Sequence, residues 1–374
     1  MVLKVEGVLL DTVSMTTADG KELANDENYI IAFDRNGHPQ INAVSGIAEN
    51  AELIINYTKL APDQVDIFDI IGGYNAVTGR NEGLELVNDI FPLFRLVPGQ
   101  LLAPGFSSNS IVAAVMETRA GNINGHFKCI TLCDMPTMIE NAQGELATHR
   151  FTDVPRYKKL NNFVSTRQLN LYPMLDLGGL HFYYSTQMAG LIGRTDADNS
   201  QTPYRSPSNR NLNINGLIYE NGEEILLNND QANFLNGQGI IAAINFANGW
   251  VAWGNRTGAF PGTTDPKDAF ISIRRMFDWI SNTLVLTYWS DVSSPITRRF
   301  IDMVVDSVNI WLNGLAAREF ILGGRIEFIG EYNPITDLMD GIVRFKIYVT
   351  PPGPAREIEF ILEYDPEYLN GLFG

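Results

Sequence analysis

Between residues 100 and 135 the spacing of apolar residues switches period twice, and few folds accommodate that switch. Gln100-Leu-Leu-Ala103 reads as a short buried strand and Pro104-Gly105 as a turn. Residues 110–122 read as a helix. The run Phe127-Lys-Cys-Ile-Thr-Leu-Cys-Asp134 then reads as a strand buried on both faces. Strand, helix and strand in so short a span call for parallel strands joined by a crossover helix. The rhythm continues with a strand over residues 169–176 and a helix of small and apolar residues over 186–193. Residues 83–91 supply a helical stretch ahead of it.

The flanks have other periods. Residues 2–10 and 51–58 alternate, residues 29–33 are strand-like, and Asn36-Gly37 is a hairpin signal, so residues 1–65 read as a small β-sandwich. Residues 194–222 are rich in Asn, Ser, Pro and Gly and read as a long loop. Residues 228–239 read as a capped helix ending on glycine. Residues 240–246, the turn Asn248-Gly249 and residues 250–253 form a hairpin. The last third is α+β. It has a helix over 268–287, with Ile271, Ile273, Met276, Phe277 and Ile280 largely on one face. A second helix is capped by Ser294-Pro295 and carries Ile296, Phe300, Val304, Val308, Leu312 and Leu315 at helical spacing. Strands are expected at 325–332, 341–350 and 357–365.

Composition narrows the function. The chain has 374 residues, 45% of them hydrophobic, enough for two or three domains with sizeable cores. Its net charge of −16 argues against nucleic acid as a partner. The charge is uneven, because residues 96–260 are nearly neutral between two acidic flanks. No basic stretch followed by an apolar block opens the chain, and no segment approaches the roughly 18 apolar residues of a membrane span. A soluble, non-secreted protein without a membrane partner is expected.

Signs of catalysis are weak. Cys129 and Cys133 are separated by about 13 Å of strand, too far for a disulfide, and read as buried thiols. His38, His126, His149 and His181 have no metal spacing. There is no dinucleotide or phosphate loop and no nucleophile elbow. No cofactor or metal site is expected.

Three features can be read in two ways. Trp250 and Trp253 flank the hairpin, with Arg256 following, as a packed aromatic edge or as a carbohydrate platform. Arg274-Arg275 and Arg298-Arg299 put basic pairs on two helices of an acidic region. They are solvated faces, or they meet an acidic partner. The last strand alternates Glu357, Glu359, Ile361 and Glu363 against Ile358, Phe360, Leu362 and Tyr364. It pairs within its own sheet or is donated to a neighbour's edge.

Several stretches together carry a likeness. The run from Leu96 to Ser107, including Pro104 and Gly105, resembles the contractile phage tail sheath family. So do Tyr204-Arg-Ser-Pro-Ser-Asn209 and residues 228–239. The run Asn248-Gly-Trp-Val-Ala-Trp-Gly-Asn-Arg-Thr257 is the most recognisable, with Gly249, Trp250, Trp253, Gly254 and Arg256. The Arg-Arg helix at Arg274, the Ser-Pro-Ile-Thr helix start and the closing Leu362-Glu-Tyr-Asp-Pro366 also fit. The likeness covers the chain from about residue 65 to its end.

The resemblance implies a structural protein, not an enzyme: hexameric rings stacked as a helical sleeve that shortens and drives a tail tube through a cell envelope. It implies a β-sandwich at 1–65, a subtilisin-like α/β domain at 66–260 and a C-terminal α+β domain at 261–374. Ile358, Phe360, Leu362 and Tyr364 would then be the donated strand. Arg274, Arg275, Arg298 and Arg299 become candidate contacts to the tube or a neighbour. Partners would be further copies of the chain, the tail tube and the baseplate and tail-terminator proteins. The location would be a virion or tail-like particle assembled in the host bacterial cytoplasm. Family members begin with an extended arm and the opening strands of the α/β domain, whereas this chain starts at or near the sandwich. A glycan-binding module and a subtilisin-like hydrolase are the competing expectations.

Overall fold

The computed structural model describes residues 1–374 except Arg35, Asn36, Glu49, Ala142, Asn248 and Gly374. The Asn36 half of the expected first turn and the Asn248 half of the second lie outside the described residues. The chain forms two compact units, Met1–Asp69 and Ile70–Gly374.

The first unit is mainly β. Ser14–Thr17 pairs antiparallel with Glu22–Leu23 on one side and Leu53–Asn56 on the other. Tyr29–Phe33 pairs with Pro39–Ala43. Met15, Leu23, Tyr29 and Ile41 form its buried core. Residues 2–10 do not form the expected strand. They make single bridges, Val2 to Gln40 and Val8 to Lys59.

The second unit is built on a five-stranded sheet. Its strands are β1 (Gln100–Leu102), β2 (Ile130–Asp134), β3 (Gln168–Leu171), β4 (Ile240–Phe246) and β5 (Gly249–Trp253), hydrogen-bonded in the order β5-β4-β3-β2-β1. β1 to β4 run parallel and β5 returns antiparallel, with Ala242 opposite Trp253. Every residue of β2 and β3 is buried, which is why those runs show no alternation. Helices α1 (Ser110–Gly121) and α2 (Tyr184–Ala197) pack against β1 and β2, and α3 (Asn229–Asn236) packs against β4. Asn109 caps α1 by accepting from the Ile111 N–H, and Asn228 and Gln231 form a capping box at α3.

The expected strand at 169–176 is two strands. β3 stops at Leu171, and Met174–Leu177 belongs to a separate antiparallel sheet with Leu180–Phe182, Gly216–Ile218 and Glu224–Ile225. Pro173 between them has no N–H to continue a ladder. The expected long loop is shortened at both ends by α2 and Gly216–Ile218. Its middle lies along β5, where Asn209 and Leu212 donate to the carbonyls of Ala252 and Trp250.

Helices α4 (Ile271–Tyr288) and α5 (Arg298–Ala317) and the hairpin of β6 (Gly323–Glu327) and β7 (Lys346–Thr350) close the chain's last core. Met276, Ile280, Val304, Val308, Leu312 and Leu315 are buried there. The cap of α5 is Thr297, whose side chain accepts from the Phe300 N–H, not Ser294. Pro295 lies ahead of the helix.

Leu312 is fully buried and Ile310, on the opposite face of α5, is 72% exposed. Leu312→Ala is expected to lower unfolding free energy by about 2–5 kcal/mol, and Ile310→Ala by less than about 0.5 kcal/mol. Urea unfolding of the two variants checks this.

Candidate functional site

The stretches that stood out in the sequence meet in space around Gly254. The Gly254 N–H donates to Ser208 Oγ at 3.1 Å, and Trp253 Nε1 donates to Asn233 Oδ1 at 2.8 Å. A Cβ on Gly254 (φ +147°) would lie 2.6 Å from Asn236 Oδ1 and 3.0 Å from Ile241 Cα, so only glycine fits. Trp250 Nε1 donates to the Asn215 carbonyl at 3.1 Å. Both indoles are thus tied into the packing of the hairpin. Gly249 (φ +84°) turns the hairpin, and Gly105 (φ +83°), after Pro104, faces the Tyr183 ring.

The basic pairs separate. Arg274 bonds Asp268 and Asp278, and Arg275 grips Asp196 with both terminal nitrogens. Their side chains are largely buried, so neither guanidinium is free for a partner. Sequence spacing could not reveal the Arg275 pair, because Asp196 is 79 residues away. Arg298 and Arg299 are exposed at the start of α5, and Arg298 pairs with Asp302 one turn on.

Residues 357–365 form no strand with the rest of the described chain. Ile358 is 71%, Phe360 83%, Leu362 94% and Tyr364 75% exposed. Meanwhile the β6–β7 sheet has only two strands. Ile326 is buried beneath it, and Ile347 and Val349 are partly buried against the same core. Among the described residues, an apolar segment without a ladder partner and a two-stranded sheet therefore coexist in one subunit, and on the β6 side of that sheet the Asn309 side chain of α5 bonds both the N–H and the carbonyl of Ile326.

The sheet's C-terminal end carries a buried carboxylate. Asp134 Oδ1 accepts from the Ser185 N–H at 2.8 Å, and Oδ2 accepts from Ser185 Oγ at 2.6 Å and Ser107 Oγ at 3.3 Å. No histidine bonds to this cluster among the described residues. The His149 ring is engaged with the Pro136 carbonyl and stacks edge-on against Tyr157. Asp134 fastens the start of α2 and the turn before α1 to β2, and this cluster contains no Ser-His pair for nucleophilic chemistry. Cys129 and Cys133 are buried free thiols, pushed up to about 12 by burial. The described residues contain no cluster able to hold a metal and no helix long and apolar enough to cross a membrane.

No family model matches the chain. A tail sheath protein of Burkholderia phage BcepMu is 28% identical over 380 residues, covering 97% of this chain and 74% of that protein. The sheath of an extracellular contractile injection system, in its contracted state, shares the fold with a TM-score of 0.61. It is 17% identical and covers 77% of this chain and 76% of that one. The chain is similar along nearly its whole length to contractile tail sheath proteins. A major tail sheath protein of Serratia phage KSP20 is a further relative, 25% identical over 183 residues, covering 48% of this chain and 45% of that protein. The chain is accordingly a structural sheath subunit of a phage tail or tail-like particle and not an enzyme.

Burial pushes the Asp134 carboxyl up to about 6, against hydrogen bonds from Ser185 and Ser107 that pull it back. The folded sheath subunit therefore holds this proton more tightly than the unfolded chain, whose carboxyl has its ordinary value near 3.8. The stabilising contribution is complete below about pH 4 and is lost as pH rises through about 6. Its size is on the order of 3 kcal/mol. Asp134→Asn is expected to flatten the pH dependence of urea unfolding between pH 4 and 6.5.

Proposed function

We propose that the sheath subunit polymerises as stacked hexameric rings around a tail tube and shortens to drive the tube through a cell envelope. Residues 357–365 are then the strand that one copy donates to an edge of the β6–β7 pair of the next. The observation that carries this reading is the exposed, alternating segment with no ladder partner in its own subunit. Strand addition supplies main-chain hydrogen bonds for affinity and alternate side chains for register. A head-to-tail contact that does not close on itself builds a helical polymer. A strand tethered outside the packed body lets bodies shift while pairing persists.

In this scheme residues 1–65 are a β-sandwich, residues 66–260 a body of subtilisin-like topology, and residues 261–374 the domain that gives and receives the strand. Tube, baseplate and tail-terminator proteins are the other partners, and assembly takes place in the host bacterial cytoplasm. Arg298 and Arg299 form the pair that faces the tube. Arg298 keeps its reach because an exposed pair such as that with Asp302 holds it by only about 0–1 kcal/mol.

Removing residues 357–374 is expected to leave a folded monomer with unchanged urea unfolding and no sleeves in negative-stain electron microscopy. Sleeves of normal length from the shortened chain would overturn the donated strand. Arg298→Glu with Arg299→Glu is expected to weaken co-sedimentation with the tube about tenfold or more, while sleeves still form without it. Unchanged co-sedimentation would remove the pair from the tube interface.

A further inference from the structure

Arg256 lies in the segment that leaves β5, and its backbone is pinned on both sides. The carbonyl of Asn255 accepts from the Ile271 N–H at 3.2 Å, and the Thr257 N–H donates to the Ala269 carbonyl at 3.0 Å. Thr257 Oγ1 also donates to the Asp268 carbonyl, and the Gly258 N–H to the Gln168 carbonyl. The guanidinium carbon sits 3.8 Å from the centroid of the Phe270 ring and 4.4 Å from that of Phe260. Phe260 is itself held, because buried Lys158 Nζ donates to its carbonyl at 2.7 Å. The cation is thus clamped between two aromatic rings in one orientation.

It lacks an anion. Arg167, Arg274 and Arg275, whose side chains are largely buried, each bond an aspartate, whereas Arg256 is half-buried. Arg256 makes no ion pair or side-chain hydrogen bond among the described residues, and its Nε is buried without a partner. Arg356, at the root of the terminal segment, adds a like charge. Burial first, and Arg356 second, disfavour its charged form. A buried donor with a like charge beside it is costly unless a carboxylate arrives from outside.

We propose that Arg256, with Arg356 beside it, is a carboxylate receptor that an acidic side chain of a second copy of this chain completes on assembly. The inference rests on the sheath reading and adds a specific contact to it. Charge complementarity favours a second copy, since each copy brings 43 acidic against 27 basic side chains. Arginine's planar fork suits a carboxylate, and the ring clamp has already removed the side-chain freedom that binding would otherwise cost.

The test is the critical concentration for sleeve formation by the full chain, measured by sedimentation at low and high NaCl, with monomer melting as a control. Arg256→Gln is expected to raise the critical concentration about tenfold or more and to weaken its salt dependence, with monomer melting unchanged. Arg256→Lys, which keeps the charge and loses the fork, should fall between, and Arg356→Gln should show a smaller loss. Gln and Lys variants that both assemble within twofold of the unaltered chain would overturn the receptor while leaving the sheath reading intact. Equal failure of both with lowered melting would also overturn it and make Arg256 a packing residue. Normal sleeves that fail to bind the tube would place the carboxylate on the tube and overturn the second-copy assignment. Failure of the unaltered chain to polymerise under any condition would overturn the sheath reading and the receptor with it.

Discussion

The Asp278 carboxylate holds the long helix α4 to the parallel sheet, and the rest of the larger unit depends on that seam. Arg167, at the approach to β3, bonds Asp278 Oδ1 at 2.8 Å, and Arg274 bonds the same atom at 3.3 Å. Burial raises the Asp278 carboxyl, and the two guanidiniums pull it back. Arg275 continues the seam to Asp196 of α2, and Asn282 closes it by bonding both the N–H and the carbonyl of Lys128. Losing either partner of such a pair leaves a buried charge behind. The seam makes Ile70–Gly374 one body although it holds a sheet core and a separate helical core.

That rigidity bears on function. A sleeve that shortens needs bodies that move as units while the connections between them bend. The recognisable stretches at residues 204–209, 228–239 and 248–257 converge on Gly254 and lock the hairpin, α3 and the edge loop together. What stays outside the packing is the terminal segment.

The parallel sheet was legible in the sequence because strands buried on both faces produce unbroken apolar runs. The Asn228–Gln231 capping box and the β4–β5 hairpin carried their own local signals. Other features had misleading signals. Residues 2–10 alternate like a strand, yet they make only single bridges. Ser294-Pro295 imitates a helix start that Thr297 supplies. Helix α4 shows an apolar face in sequence, but Ser272, Arg275 and Asp278 are buried as well, since the helix is wedged between two layers. Arg274 pairs with Asp278 one turn on, which helical spacing permits, but the partners of Arg167 and Arg275 lie far along the chain, and neither spacing nor composition could pair them. The missing anion at Arg256 was invisible for the same reason, because a partner's absence is a property of the fold.

The central claim is that residues 357–365 are unpaired in the subunit and paired in the assembly. Amide hydrogen exchange of this segment, compared between monomer and sleeve, tests it most directly. The account predicts near-complete exchange within seconds in the monomer and slowing by a hundredfold or more in the sleeve, on the order of a few kcal/mol of local protection. Equal protection in both states would contradict it, either because the strand already pairs within its own subunit or because assembly leaves it exposed.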